Sequence, residues 1–404
     1  MNHPLDMPVT KPSPWFSRRA AALMLGSCLV GPVRAFAAGQ PLTDEIVTRS
    51  QLSSGDLTRL ANVFAKAQRG EPIKLGVIGG SITVGAFATS AQASYSGRLL
   101  AWWRERFQRC DIRMINAGLG GTGSLYGAIR AGRDLLSSLP DLVVVEFAVN
   151  DSWTDGEAFE GLVRQILAQP NSPAVLLLFM MWEKGGNDQD MQARIGAHYR
   201  LPMVSFRDAL WPEMQAGRLK WSEYIVDNVH PTDAGHAAAA RFIERVFDTA
   251  LDAGLAGNPG TLSPLPSPIY SDAYQHVRWR GAATLDPSDN DGWRRDFGGN
   301  DIPTWDNPGT SGRISFDWTG SGVVAVFAES PGDPRGIQFC IDGAALKTLD
   351  VLNQPKRQLF VLAHDLVPGR HTVELACAHE DSSSTAEAVR LLGLASIGAT
   401  RDRP

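Results

Sequence analysis

The chain has 404 residues, 44% of them hydrophobic and 20% charged, which is material for sizeable cores and, by length, for two or three domains. It reads as globular. A formal net charge of −5 leaves no broad basic field, so nucleic acid is not an expected partner.

At the N-terminus, Arg18-Arg19 is followed by the apolar run AAALMLGSCLVG and then by Ala35-Phe36-Ala37, a small-residue cleavage pattern. This predicts an export signal over residues 1–37, removed after Ala37, and a soluble periplasmic or secreted protein. The run falls short of the roughly 20 apolar residues that span a bilayer, and no later stretch reaches that length. SRRAAAL loosely resembles a twin-arginine signal, and LGSC, ending at Cys28, loosely resembles a lipoprotein site. Membrane association is expected only if Cys28 is lipidated. With the signal removed, Cys110, Cys340 and Cys377 remain. Cys340 and Cys377 are then the pair to consider for a disulfide, separate buried thiols being the equal alternative.

From residue 40 to 255, apolar runs alternate with amphipathic stretches: KLGVIGG then SGRLLAWWRERF, DIRMINAG then SLYGAIRAGRDLLSSL, DLVVVEFAV then EAFEGLVRQILAQ, AVLLLFMMW then DMQARIGAHYR. Short apolar runs followed by helical spacing predict βαβ units, a parallel sheet covered on both faces, in three α/β/α layers. The last element, TDAGHAAAARFIERVFDTALDAG, has Thr232 at an N-cap position. Residues 256–268, with GNPGTLSPLPSP, cannot continue a helix and predict an extended linker. Over 269–404 the period changes to two in RISFDWTG, VVAVFAES, IQFCIDG, LFVLAHDL and HTVELACA, which predicts an all-β sandwich.

Ligand sites of open α/β sheets lie at the carboxyl ends of the strands. There the chain places Gly79-Gly80-Ser81, then Asn116 with Gly118, Gly120 and Gly121, then Asn150-Asp151; DNVHPTDAGH puts Asp227 and His230 just ahead of the last helix. These parts suit acyl transfer from an oxygen ester. A serine hydroxyl needs a base, which an imidazole supplies, and a carboxylate on the other ring nitrogen fixes the tautomer. The candidates are Ser81 as nucleophile, His230 as base and Asp227 as its partner, with the Ser81 amide, the Gly121 amide and the Asn150 side chain as oxyanion donors. Each has a plainer alternative: Ser81 as a helix cap, Gly121 as a turn glycine, Asn150 as an Asx-turn former. The Asp227/His230 pair favours the catalytic assignment. Asp151 reads as a loop brace, His236 as a structural or surface histidine, and Arg130 as an ion-pair partner. Trp153 and Trp182 fall on the rim as candidate substrate contacts, whereas Trp102 and Trp103 read as packing. Zinc, EF-hand, P-loop and dinucleotide patterns do not occur, so no metal and no cofactor is expected.

These blocks resemble the SGNH or GDSL hydrolases: GGSITVG the first block, NAGLGGTGS the second, EFAVND the third and DNVHP the fifth, over roughly Lys74 to Phe242. The resemblance implies a flavodoxin-like fold and an ester hydrolase. One departure is Gly79-Gly80-Ser81 in place of Gly-Asp-Ser. Aromatic rim positions, and a β-domain like those found beside sugar esterases, favour a short acyl ester, acetyl first, on a carbohydrate. The alternatives are a polysaccharide O-acetyltransferase and a non-catalytic glycan-binding or scaffold protein.

Overall fold

The structure is a computed structural model, and it describes residues 42–151, 156–254, 261–296, 302–307, 312–328, 336–350, 357–377 and 389–398. The expected signal segment, with Cys28, and Trp153 lie outside the described residues. In chain order the first domain comprises α1 (Asp44–Arg49), β1 (Gln51–Ser53), α2 (Thr58–Gln68), β2 (Ile73–Gly79), α3 (Ser81–Val84), α4 (Tyr95–Arg106), β3 (Ile112–Gly118), α5 (Ser124–Asp134) and β4 (Leu142–Glu146). It continues through α6 (Glu157–Leu167), β5 (Ala174–Phe179), α7 (Gln189–His198), β6 (Met203–Ser205), α8 (Phe206–Gln215), α9 (Trp221–Tyr224) and α10 (Asp233–Asp252).

The central sheet runs β1-β6-β5-β4-β2-β3. Strands β2 to β6 are parallel, and β1 pairs antiparallel with β6 at the edge. The sheet is therefore mixed but mostly parallel, as the βαβ pattern implies. β1 is a three-residue return after α1, too short to show a period and not part of a βαβ crossover. Every residue of β4 and β5 is buried, because helices cover both faces, and their side chains divide by alternation. Leu142, Val144, Leu176 and Leu178 face one core with Phe64 of α2, Trp103 of α4 and Phe242 and Phe247 of α10. Val143, Val145, Leu177 and Phe179 face the other with Ile129 of α5 and Phe159, Leu162 and Ile166 of α6. This is the expected three-layer arrangement.

The second domain comprises β7 (Arg278–Gly281), β8 (Asp289–Asp291), β9 (Arg294–Asp296), β10 (Thr304–Asn307), β11 (Gly312–Gly320), β12 (Gly322–Phe327), β13 (Gly336–Ile341), β14 (Lys347–Asp350), β15 (Gln358–Ala363), β16 (Gly369–Cys377) and β17 (Val389–Ile397). They form two antiparallel sheets, β15-β12-β17-β10-β9 with β7 on β17, and β14-β13-β16-β11-β8. Between them Phe316, Trp318, Val323, Phe327, Ile337, Val373 and Leu391 build one core. β12 is buried along its whole length because its other face, Val324 and Val326, joins Leu392, Ala395 and Ile397 of β17 against the α5/α6 side of the first domain. No disulfide joins Cys340 and Cys377: on paired strands Cys340 faces Glu374 and Cys377 faces Ile337.

Residues 261–268 run without helix or strand, and α6 holds both this stretch and the residues just after it. The Glu160 carboxylate accepts the amides of Ile269 and Tyr270, each at 2.7 Å, and Arg164 donates to the Pro266 carbonyl at 2.7 Å.

Candidate active site

Strand β2 ends at Gly79, and the chain turns through Gly80 directly into the four-residue helix α3, which starts at Ser81. The turn is packed too tightly for side chains. A Cβ at Gly79 would overlap Thr83 and the Glu146 carbonyl, and one at Gly80 would overlap the Asn150 carboxamide.

Behind the turn, Arg130 is 1% exposed and donates to the Ala117 carbonyl at 2.6 Å and the Gly79 carbonyl at 3.1 Å, fastening the ends of β3 and β2 together. The expected acid is there too, Asp134 at 3.3 Å, but the carbonyls take the shorter of these bonds. Asp151 is also buried: it accepts from the Ser124 amide at the start of α5 and from the Gln192 side chain, at 2.7 and 2.8 Å. Burial pushes its carboxyl up to about 6, against the pull of those donors. Its role is the expected brace. Glu146, at the end of β4, lies under Thr83 with Tyr95 beyond; burial pushes its carboxyl up to about 8. Nothing in the local pattern of LVVVEFAV marks that buried acid.

His230 comes from the turn between α9 and α10, closed by the Val226 amide on the His230 carbonyl at 2.8 Å. Its Nε2 is 2.8 Å from Ser81 Oγ and its Nδ1 is 2.7 Å from Asp227 Oδ2. Asp227 Oδ1 accepts the amides of Val229 and His230, each at 2.8 Å. Partial burial raises the Asp227 carboxyl, but the bonds from His230 and the two amides outweigh it and hold the group below the usual range. An ionised carboxylate on Nδ1 leaves Nε2 as the acceptor for the serine proton, the geometry of general-base activation.

The three residues proposed from sequence as a triad are thus one hydrogen-bonded chain. Asn150 lies against Gly80, and Gly121, at φ +68°, belongs to the glycine loop that passes Ser81, where a Cβ on Gly120 would come within 3.7 Å of the Ser81 Cβ. Trp182 is on a loop joined to the histidine turn through the Glu183 amide and the Asn228 carbonyl, 2.7 Å, but its indole packs over Gly186. The aromatic ring beside His230 is instead Phe87, with ring centroids 5.4 Å apart. Sequence reading missed it, because a lone Phe in AFATSAQAS has no periodicity. His236 is fully buried, takes the Tyr95 amide on Nδ1 at 3.3 Å and meets the Ala86 carbonyl with Nε2 at 3.1 Å. Burial lowers its pKa to about 4, so it is neutral and structural.

The two-domain architecture recurs in known proteins. Crystal structures of a two-domain esterase (CEX) active on acetylated mannans, one co-crystallized with mannopentaose, share 28% identity and cover 88% of this chain and 99% of theirs, with TM-scores of 0.78 and 0.79. No curated protein matches the chain. The family model of the GDSL-like lipases and acylhydrolases matches residues 77–238. Residues 77–238 thus form a GDSL-like lipase/acylhydrolase domain, and the protein is an ester hydrolase.

Proposed function

We propose that the protein removes acetyl groups from an acetylated carbohydrate, with Ser81 as nucleophile, His230 as general base and acid, and Asp227 as the residue that holds the imidazole. The observation that carries this reading is the continuous chain from Ser81 Oγ to His230 Nε2 and from Nδ1 to Asp227. The carbohydrate class is supported by the two-domain esterase active on acetylated mannans, which this chain resembles over both domains.

His230 Nε2 takes the Ser81 proton as Oγ bonds to the acyl carbon, and the carbonyl oxygen becomes an oxyanion. The Ser81 amide, the Gly121 amide and the Asn150 carboxamide are the proposed donors to it. The intermediate collapses by breaking the bond to the sugar oxygen, which receives the proton from the imidazolium. Water, deprotonated by the same imidazole, then attacks the acetyl-serine, and acetate leaves as the serine recovers its proton.

Export is part of the proposal, supported by Arg18-Arg19, the apolar run and Ala35-Phe36-Ala37. A mature chain starting at Ala38 is expected by mass spectrometry, and an uncut chain in the cytoplasm would contradict it. For the chemistry, Ser81→Ala should lower acetate release from p-nitrophenyl acetate and from acetylated manno-oligosaccharide by about 10⁴-fold or more, with an unchanged melting transition. Retained hydrolysis overturns the assignment.

A further inference from the structure

We propose that Phe87 is the platform on which the alcohol part of the substrate, a pyranose ring, rests while His230 returns its proton to the leaving oxygen; this rests on the carbohydrate ester reading above. A single exposed phenylalanine is ordinary on a protein surface. This one is distinguished by its backbone, its anchoring and its neighbour.

Phe87 is 57% exposed and holds φ at +61°, a region that side chains other than those of Gly, Asn and Asp rarely occupy. The chain around it enforces that conformation. Just before it, the Ala86 amide bonds to the Ser81 carbonyl and the Ala86 carbonyl to His236 Nε2, at 3.1 Å each. Just after it, the Thr89 amide and hydroxyl both bond the Asp233 carboxylate at the start of α10, at 2.9 and 2.6 Å. A strained residue held in place from both sides marks a functional position more often than an accident. What the clamp presents is an aromatic ring tilted 41° to the His230 imidazole.

The chemistry fixes which part of the ester meets that ring. In acyl transfer the alcohol oxygen must lie at the imidazole, which protonates it on departure, whereas the acyl oxygen lies at the amide donors. Phe87 is on the imidazole side, so it meets the alcohol. A pyranose offers a face of C–H bonds, each slightly positive, and an aromatic face is slightly negative and sheds water readily. The pair is complementary in shape and charge.

The test compares kcat/KM on acetylated manno-oligosaccharide with kcat/KM on methyl acetate, whose alcohol is too small to cover the ring. The ratio of the two is expected to fall about tenfold in Phe87→Ala and in Phe87→Gly, and to stay within about twofold of the parent in Phe87→Tyr. The glycine variant suits the positive φ, so it keeps the experiment readable if alanine disturbs the loop. Equal losses on both esters would overturn the platform and make Phe87 a screen over the imidazole. A parent protein that cleaves methyl acetate but leaves the oligosaccharide ester intact would sink the carbohydrate reading, and the platform with it. A parent that cleaves both, with a ratio indifferent to Phe87, sinks the platform alone.

Discussion

The two domains bury ionisable side chains differently. Arg130, Asp141, Glu146, Asp151, Glu160, Arg164, Glu213 and His236 are all buried, and all belong to the α/β domain. The buried polar side chains described in the β-domain are Thr304, Asn307, Ser315 and Ser396, none of them charged. Burying an ionisable side chain is costly unless partners replace the water or the group gives up its charge, so such groups mark places where the fold fixes geometry rather than merely excluding solvent. In the α/β domain they collect in two such places. Glu146, Asp151, Arg130 and His236 lie beneath the rim that carries Ser81, and Glu160 and Arg164 hold the segment leading to the second domain. The sandwich supplies an apolar face to α5 and α6, and His364, its described link to α6, stays about one-third exposed.

The largest effect that would sharpen this contrast is expected at the rim's half-exposed acid. Asp227→Asn keeps the shape but presents an amide to Nδ1, so the imidazole adopts the wrong tautomer, and kcat should fall about 10⁴-fold. Because the carboxylate is partly solvated, the melting temperature should move by no more than about 3 °C. An activity loss of only about tenfold would mean that the chain of bonds from Ser81 to Asp227 is not the working relay.

Glu146 tests the buried layer beneath. Its carboxyl, raised to about 8 by burial, is neutral in the folded protein at pH 7, while an unfolded chain ionises it near its ordinary 4.5. The folded state therefore holds a proton that the unfolded state lacks. That contribution to stability is complete below about pH 4.5 and is lost as pH rises towards 8. Asp151, raised to about 6, acts in the same direction lower down, and His236, lowered to about 4, opposes it between about 4 and 6.5. In the window from 6.5 to 8 the raised imidazoles of His364 and His371 also titrate, but they cancel when the parent is compared with a Glu146 variant. There the parent should lose stability by up to about 1.4 kcal/mol per pH unit relative to Glu146→Gln, which keeps the neutral shape. Urea denaturation at the two ends of the window reads the difference; parallel curves would mean that the carboxyl is ionised and otherwise compensated.

The same contrast governs how much could be read from sequence. β4 and β5 are legible because burial on both faces makes them continuous apolar runs, and Ser81, Asn150, Asp227 and His230 are legible because strand ends and one turn place them on a common rim. β8 and β9, DND and RRD, are almost wholly polar; backbone pairing with β11 and β10 makes them strands, and no periodicity reports that. β17, VRLLGLASI, hides for the opposite reason, since contacts on both faces erase its alternation. Phe87 and Glu146 are single residues whose roles depend on neighbours 143 and 63 positions away in sequence, His230 and Thr83, and no local pattern carries that information.

The smallest expected effect lies at the contact between the domains. His364 Nε2 reaches Glu157 at the start of α6 at 3.1 Å, and Nδ1 reaches Asp365 at 2.8 Å. The bond to Asp365 raises the imidazole pKa, partial burial opposes it, and Glu157 adds to the rise. A base with a raised pKa stabilises the fold fully below its unfolded value of 6.5 and loses that contribution as pH climbs through the folded one. Since the side chain is about one-third exposed, solvent screens most of the gain, and His364→Gln should destabilise the protein by about 0.5 kcal/mol at pH 6 and by nothing measurable at pH 9. Melting curves of the full chain at the two pH values read this. A loss at pH 6 as large as the change expected from Glu146 would mean that the interface carries charge as deeply as the rim does, and the sandwich would then be a partner in the electrostatics of the site rather than its apolar cover.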